Sequence, residues 1–167
     1  VAGTWAQVQL FETVLIADCG ADGYIGLFDG KTPWDDTCVK TGVGHLTKLL
    51  AFANTPSDGD DWPGATDMVI DGKAAYNLMG DWALAQFDSK EKTYNSDYIA
   101  FPTPGTQGTF DFLADSFTLP VGAKNPDGAR DWLSLIGSAE GQKAFNLKKG
   151  SIPARSDVPA SEFPEDQ

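Results

Sequence analysis

Gly80, Asp81 and Trp82 stand together where a short apolar run, Ala74 to Met79, gives way to a helical pattern from Trp82 to Phe87. These residue types can build one wall of a carbohydrate site. A glycine lets the backbone approach a ligand closely. An aspartate carboxylate accepts hydrogen bonds from two hydroxyls, and an indole offers its face to the C–H face of a sugar ring. A plainer reading stays open: Asp81 caps a helix and Trp82 packs inside.

Other chemistries find less support. There is no G-x-S-x-G elbow, and the lone His45 lies mid-helix between Gly44 and Leu46. Gly42-Val43-Gly44 lacks the third glycine of a phosphate loop and falls inside a helical stripe. Asp58-Gly59-Asp60-Asp61 lacks the order and closing Glu of a calcium loop, so it reads as a solvated acidic turn. Two cysteines without a C-x-x-C, and one histidine, argue against zinc. No metal and no cofactor are expected. The 24 acids allow a glycosidase pair by number, yet nothing in the sequence brings two of them across a cleft. A formal charge of -12 repels phosphate backbones and anionic membranes, so nucleic acid is a poor partner.

The elements that must position these residues follow from apolar spacing. Trp5 to Ala17 is helical in pattern, with Val8, Phe11 and Leu15 on one face and Thr4 as its cap. A short helix, Asp22 to Phe28, follows between glycines. Asp35 to Ala53 carries Val39, Val43, Leu46, Leu50 and Ala53 at helical spacing, capped by Asp35 or Asp36. Thr55 to Gly64 is a loop by composition, and a short helix spans Ala65 to Ile70. Ala74 to Met79 reads as a buried strand; Tyr98 to Phe101, Thr109 to Leu113 and Phe117 to Leu119 read as further extended pieces. Asn125-Pro126 opens a helix with cap and first-turn proline, and Ser138 caps another ending near Asn146. Lys148 and Lys149 lie at its C-terminus, where the helix dipole favours cations. The remainder, from Ser151, is Pro- and Ser-rich and runs over the surface. With 167 residues the chain suits one compact domain. Helices with single strands between them predict an α/β fold, a small sheet flanked by several helices.

The segments GKAAYNLMGDWA (Gly72 to Ala83), FTLPVGAKNPDGARDWLSLIGSAEGQKAFN (Phe117 to Asn146) and KKGSIPAR (Lys148 to Arg155) resemble, in order and spacing, the family 1 extracellular solute-binding proteins. The resemblance is strongest to bacterial glucose- and mannose-binding members, and TWAQVQLFETVLIADCGADGY is similar to the first helix of that family's second lobe. It implies a periplasmic-binding-protein-like single lobe over residues 1–167. It places the partner N-terminal lobe and the terminal helices outside this chain. No signal peptide and no run of 18 apolar residues is present; the chain opens at Val1 and closes on SEFPEDQ, as a processed or excised segment does.

The resemblance implies carbohydrate binding, a monosaccharide such as glucose, for uptake through the membrane permease of an ABC importer. The location implied is periplasmic or extracellular, with a lipid anchor as an option for the full-length protein. Asp81 matches the carboxylate of the family's GDW motif and Trp82 a stacking position. Gly80 gives close backbone approach, Trp5 is a stacking candidate on the first helix, and Asp115 lies near polar ligand contacts. Trp34, Trp62 and Trp132 are read as packing residues. Cys19 and Cys38, 19 positions apart, are open on residues alone to pairing or to two unrelated thiols. The implied extracytoplasmic location favours a disulfide, whose loop closure contributes on the order of 3 kcal/mol. An oligosaccharide- or other polar-solute-binding lobe, a carbohydrate-active enzyme domain and a scaffold domain without a small ligand are the alternatives.

Overall fold

A computed structural model describes residues 3–54 and 61–165. The acidic run Asp58 to Asp60 lies outside the described residues. The α/β expectation is overturned. The described residues fold as helices α1 (Thr4–Asp29), α2 (Thr37–Leu50), α3 (Trp62–Ile70), α4 (Leu84–Ser89), α5 (Pro126–Ile136) and α6 (Ala139–Lys149), with 3-10 turns at Asp81–Ala83 and Ala160–Glu162. Among them there is no strand, and the one β-type pairing is an isolated bridge between Tyr94 and Tyr98. The segments read as strands belong to no strand among the described residues. An extended segment becomes a strand only when its N–H and C=O groups meet a partner's. A short apolar run in the sequence does not say whether that partner exists. Ala74 to Met79 is not a buried strand: Tyr76 is 80% exposed, and Leu78 is exposed too.

The chain divides into two compact units. The first comprises Val1–Gly80 and Lys92–Asp111, the second Asp81–Glu91 and Phe112–Gln167.

In the first unit, α1 and α2 pack together around Leu15, Leu27 and Val39, with Phe11, Cys19, Tyr24 and Cys38 against them. The two helices read from the sequence before Gly30 are the two arms of α1. Gly20, at φ 70 and ψ 169, breaks the helix between them. That conformation is open essentially to glycine alone. The sharp bend brings Tyr24 back onto the first arm, where its hydroxyl donates to Glu12 Oε1 at 2.9 Å. Thr4 is not the cap; Gly3 occupies that position and no side chain bonds there. Asp36 does cap α2, accepting from the Cys38 N–H at 2.9 Å.

The apolar stripe of α2 is only partly inward. Val39 is buried and Leu46 half-buried, but Val43 and Leu50 are exposed. Gly42 takes the buried place between them. A β-carbon there would lie 3.2 Å from Leu15 Cδ2, so the missing side chain lets the helices close up. The glycines weighed as a phosphate loop are thus a helix contact. Cys19 and Cys38 form a disulfide across the same interface. Beside it the His45 Nδ1 and the Asp18 carboxylate are 2.9 Å apart, joining α2 to α1. In α3, Thr66 is fully buried; its hydroxyl donates to Trp62 O and accepts from Asn77 Nδ2.

In the second unit, Asn125 and Ser138 cap α5 and α6 through the N–H groups of Gly128 and Gly141. Phe117 packs edge-on against Trp132 and Phe145, with ring centroids 4.8 and 5.8 Å away. The segment after α6 is tied down. Ala154 N–H donates to Gln142 Oε1 and Arg155 Nη1 to Gly137 O, while Val158 is buried.

Candidate functional site

Asp81 opens the second unit on a 3-10 turn that runs straight into α4. Ala83 and Phe87 bury the inner side of this element, leaving Asp81 and Trp82 half-buried. Among the described residues the Asp81 carboxylate accepts one hydrogen bond, at Oδ1 from the Trp82 N–H at 2.9 Å. It does not cap α4, whose cap position is Ala83 without a side-chain bond. With no strand preceding it, this junction is a loop entering a helix, so its placement at a strand end is corrected.

The end of α6 comes up against the same turn. Gly150 is left-handed (φ 76), and a β-carbon there would sit 3.0 Å from Ala85 Cβ and 3.3 Å from Trp82 O. Only a glycine lets α6 end so close to the turn. From the residue before it, Lys149 Nζ reaches 2.9 Å to Asp115 Oδ2 and lies over the Trp82 ring, 6.0 Å from its centroid. Lys149 therefore connects Trp82 and Asp115, two of the residues singled out from the sequence. Its place in the sequence implies only a helix-dipole role; no local pattern reveals that it reaches both groups. Asp115 itself is exposed.

Gly80 and Trp5 belong to the first unit. Trp5 lies in the first turn of α1, 43% exposed. Trp34 and Trp132, read as packing residues, make edge-on ring contacts with Phe28 and Phe117 yet stay about half exposed. Trp132 also lines an open groove of about 670 Å³ between α5 and α6, with Leu135, Ile136, Ala144 and Phe145. No group of three or more metal-binding side chains occurs among the described residues.

The arrangement offers a carboxylate beside an indole on a helix-entry turn, with a second carboxylate linked to it through an ammonium. Such a set has the chemistry to accept hydrogen bonds from hydroxyls and to stack on an apolar face. Comparison with known sequences gives the same direction, since residues 1–143 match the profile of the bacterial extracellular solute-binding protein family. The chain belongs to that family.

Three relatives show the breadth of this solute-binding group. An uncharacterised ABC transporter extracellular-binding protein of Pyrococcus horikoshii is 38% identical over 95% of this chain and 36% of its own length. A probable sugar-binding periplasmic protein of Mesorhizobium japonicum is 34% identical over 95% of this chain and 39% of its own. A xylose/arabinose-binding protein of Haloferax volcanii is 27% identical over 95% of this chain and 35% of its own. The chain therefore spans little more than a third of the length of these solute-binding relatives. Among the described residues no helix is long and apolar enough to cross a membrane.

Proposed function

We propose that this chain is one lobe of a bilobal solute-binding protein that holds a neutral monosaccharide for an ABC importer. The observation that carries the reading is the meeting, in one unit, of Asp81, the Trp82 ring and, through Lys149, Asp115. A pyranose has a rim of hydroxyls and apolar C–H faces. It is matched by carboxylates that accept hydrogen bonds and by an indole that stacks. The names of the relatives support a sugar, and the pentoses in one of them widen the class from glucose to simple hexoses and pentoses. An oligosaccharide or another polar solute is the next reading. Trp5 and Gly80 remain proposed contacts on the first unit.

The partners in this reading are the sugar, an N-terminal lobe and a membrane permease, in the periplasm or outside the cell, with the full-length protein held by a lipid anchor. The role is capture and delivery, without turnover. One lobe offers part of the site, so the two-lobed protein is the one to titrate. Calorimetry with D-glucose and D-xylose should give binding, and Asp81→Ala should weaken it by about 1.5–3 kcal/mol through loss of charge-assisted hydrogen bonds. Unchanged affinity in Asp81→Ala would remove Asp81 from the site. Hydrolysis of aryl glycosides that disappears on substituting one carboxylate would turn the reading to an enzyme.

A further inference from the structure

We propose that Lys149 is a positioning residue of this site, aligning the Trp82 ring and the Asp115 carboxylate for ligand; the inference rests on the sugar-binding reading above. Lys149 Nζ donates to Asp115 Oδ2 at 2.9 Å and lies over the Trp82 ring at 6.0 Å from the centroid. A helix-dipole role does not account for this reach. Lys148 also lies in the last turn of α6 and supplies that charge. Nor is the position left to a flexible side chain alone. The left-handed Gly150 sets the backbone of α6 against Ala85 and the Trp82 carbonyl, fixing where the Lys149 stem begins.

The two groups it meets need a fixed point. Asp115 lies in an extended stretch, residues 111–120, that contains no helix or strand, and its side chain is 68% exposed. Phe117 anchors that stretch by packing on Trp132 and Phe145, and the Lys149 ion pair anchors it at Asp115. An exposed carboxylate outside any helix or strand has many directions open to it. An ammonium on a packed helix end narrows them. The same cation, attracted by the negative face of the indole, holds the plane of Trp82. A lysine that donates to a carboxylate still carries two further N–H donors, so the pair stays open to a sugar hydroxyl.

The test has two arms. In this chain, Trp82→Phe assigns the Trp82 indole N–H resonance by NMR. Lys149→Met should then move that resonance while Lys149→Arg keeps it near its original position. In the two-lobed protein, calorimetry with D-glucose and D-xylose should show Lys149→Met weakening binding about five-fold, with Lys149→Arg within about two-fold of the parent. Asp115→Asn should weaken binding in the same sense, and adding Lys149→Met to it should cost less than in the parent. If Asp81→Ala loses affinity but Lys149→Met does not, the sugar-binding reading stands and the Lys149 inference is overturned. If Lys149→Met and Lys149→Arg lose affinity alike and neither moves the Trp82 resonance, the residue is only structural and the inference is again overturned. If neither sugar gives binding heat, the sugar reading fails and this inference fails with it.

Discussion

Replacing Gly20 and Gly44 by alanine makes the same chemical change at two sites and should move stability in opposite directions. Gly20 sits at φ 70 and ψ 169, where a β-carbon is strained by its own backbone. No atom lies within 4 Å of where that carbon would be, so a steric clash with neighbours contributes nothing. Holding alanine there costs about 1–3 kcal/mol. Reduced freedom of the unfolded chain returns about 0.4–1 kcal/mol. The net loss is about 1–2 kcal/mol if the bend survives. If the bend relaxes, the Tyr24–Glu12 hydrogen bond is lost as well, a charge-assisted bond of about 1.5–3 kcal/mol.

Gly44 lies exposed inside α2 with nothing near its missing β-carbon, so Gly44→Ala should gain about 0.8–1.0 kcal/mol of helix propensity. The two variants should therefore differ by about 2–3 kcal/mol. With urea slopes of about 1–3 kcal/mol per molar, their unfolding midpoints should separate by about 0.7–3 M. Urea titration followed by far-ultraviolet circular dichroism measures this directly. Gly20→Ala as stable as the parent, or both variants shifting the same way, would refute the assignment of strain to Gly20.

Replacing both Cys19 and Cys38 by serine should lower stability by roughly 3 kcal/mol, and reductant should then have no further effect; two titratable thiols in unreduced, unfolded protein would contradict the disulfide. Burial, the hydrogen bond to Glu12 and the charges of Glu12 and Asp111 raise the Tyr24 phenol well above its ordinary value. The folded protein then keeps this proton after the unfolded chain has lost it. The contribution is full below pH of about 10 and is lost as pH rises above it. Alkaline absorbance titration should show a late phenol component that disappears in Tyr24→Phe. Thr66→Val should cost about 1–3 kcal/mol, because Asn77 Nδ2 loses its buried acceptor; a melting temperature equal to the parent's would argue that water replaces it.

Helices were legible because their signals are local. Asn125 with Pro126, Ser138 and Asp36 announce helix starts within three residues, and each is a cap in the structure. Gly20 was legible as a break, though not as a bend that carries Tyr24 back to Glu12. The sheet was misread because β-pairing is a relation between distant segments. Tyr98 to Phe101 and Thr109 to Leu113 have the composition of strands, and nothing within them states that they join no sheet among the described residues. The stripe on α2 misled for a related reason. Helical spacing marks several faces at once, and the contact with α1 chose the one holding Gly42. In the site, Asp81 and Trp82 were visible as neighbours in sequence. Lys149 was not, since its meeting with Trp82 and Asp115 depends on where α6 ends.

The exposed aromatic side chains of the segments outside the helices have a colloidal consequence. Phe101, Phe110, Phe112 and Leu113 are each more than half exposed, and large apolar side chains left in water favour self-association. What opposes association is long-range repulsion between copies carrying a formal charge of -12. That repulsion reaches about 10 Å at 0.1 M salt and about 3 Å at 1 M, whereas apolar contact is not screened. The isolated chain should thus be most monodisperse in dilute buffer near neutral pH. It should cluster as salt rises or as pH falls toward its isoelectric point near 4.2. Light scattering across a salt series would show the onset, and Phe112→Lys should delay it.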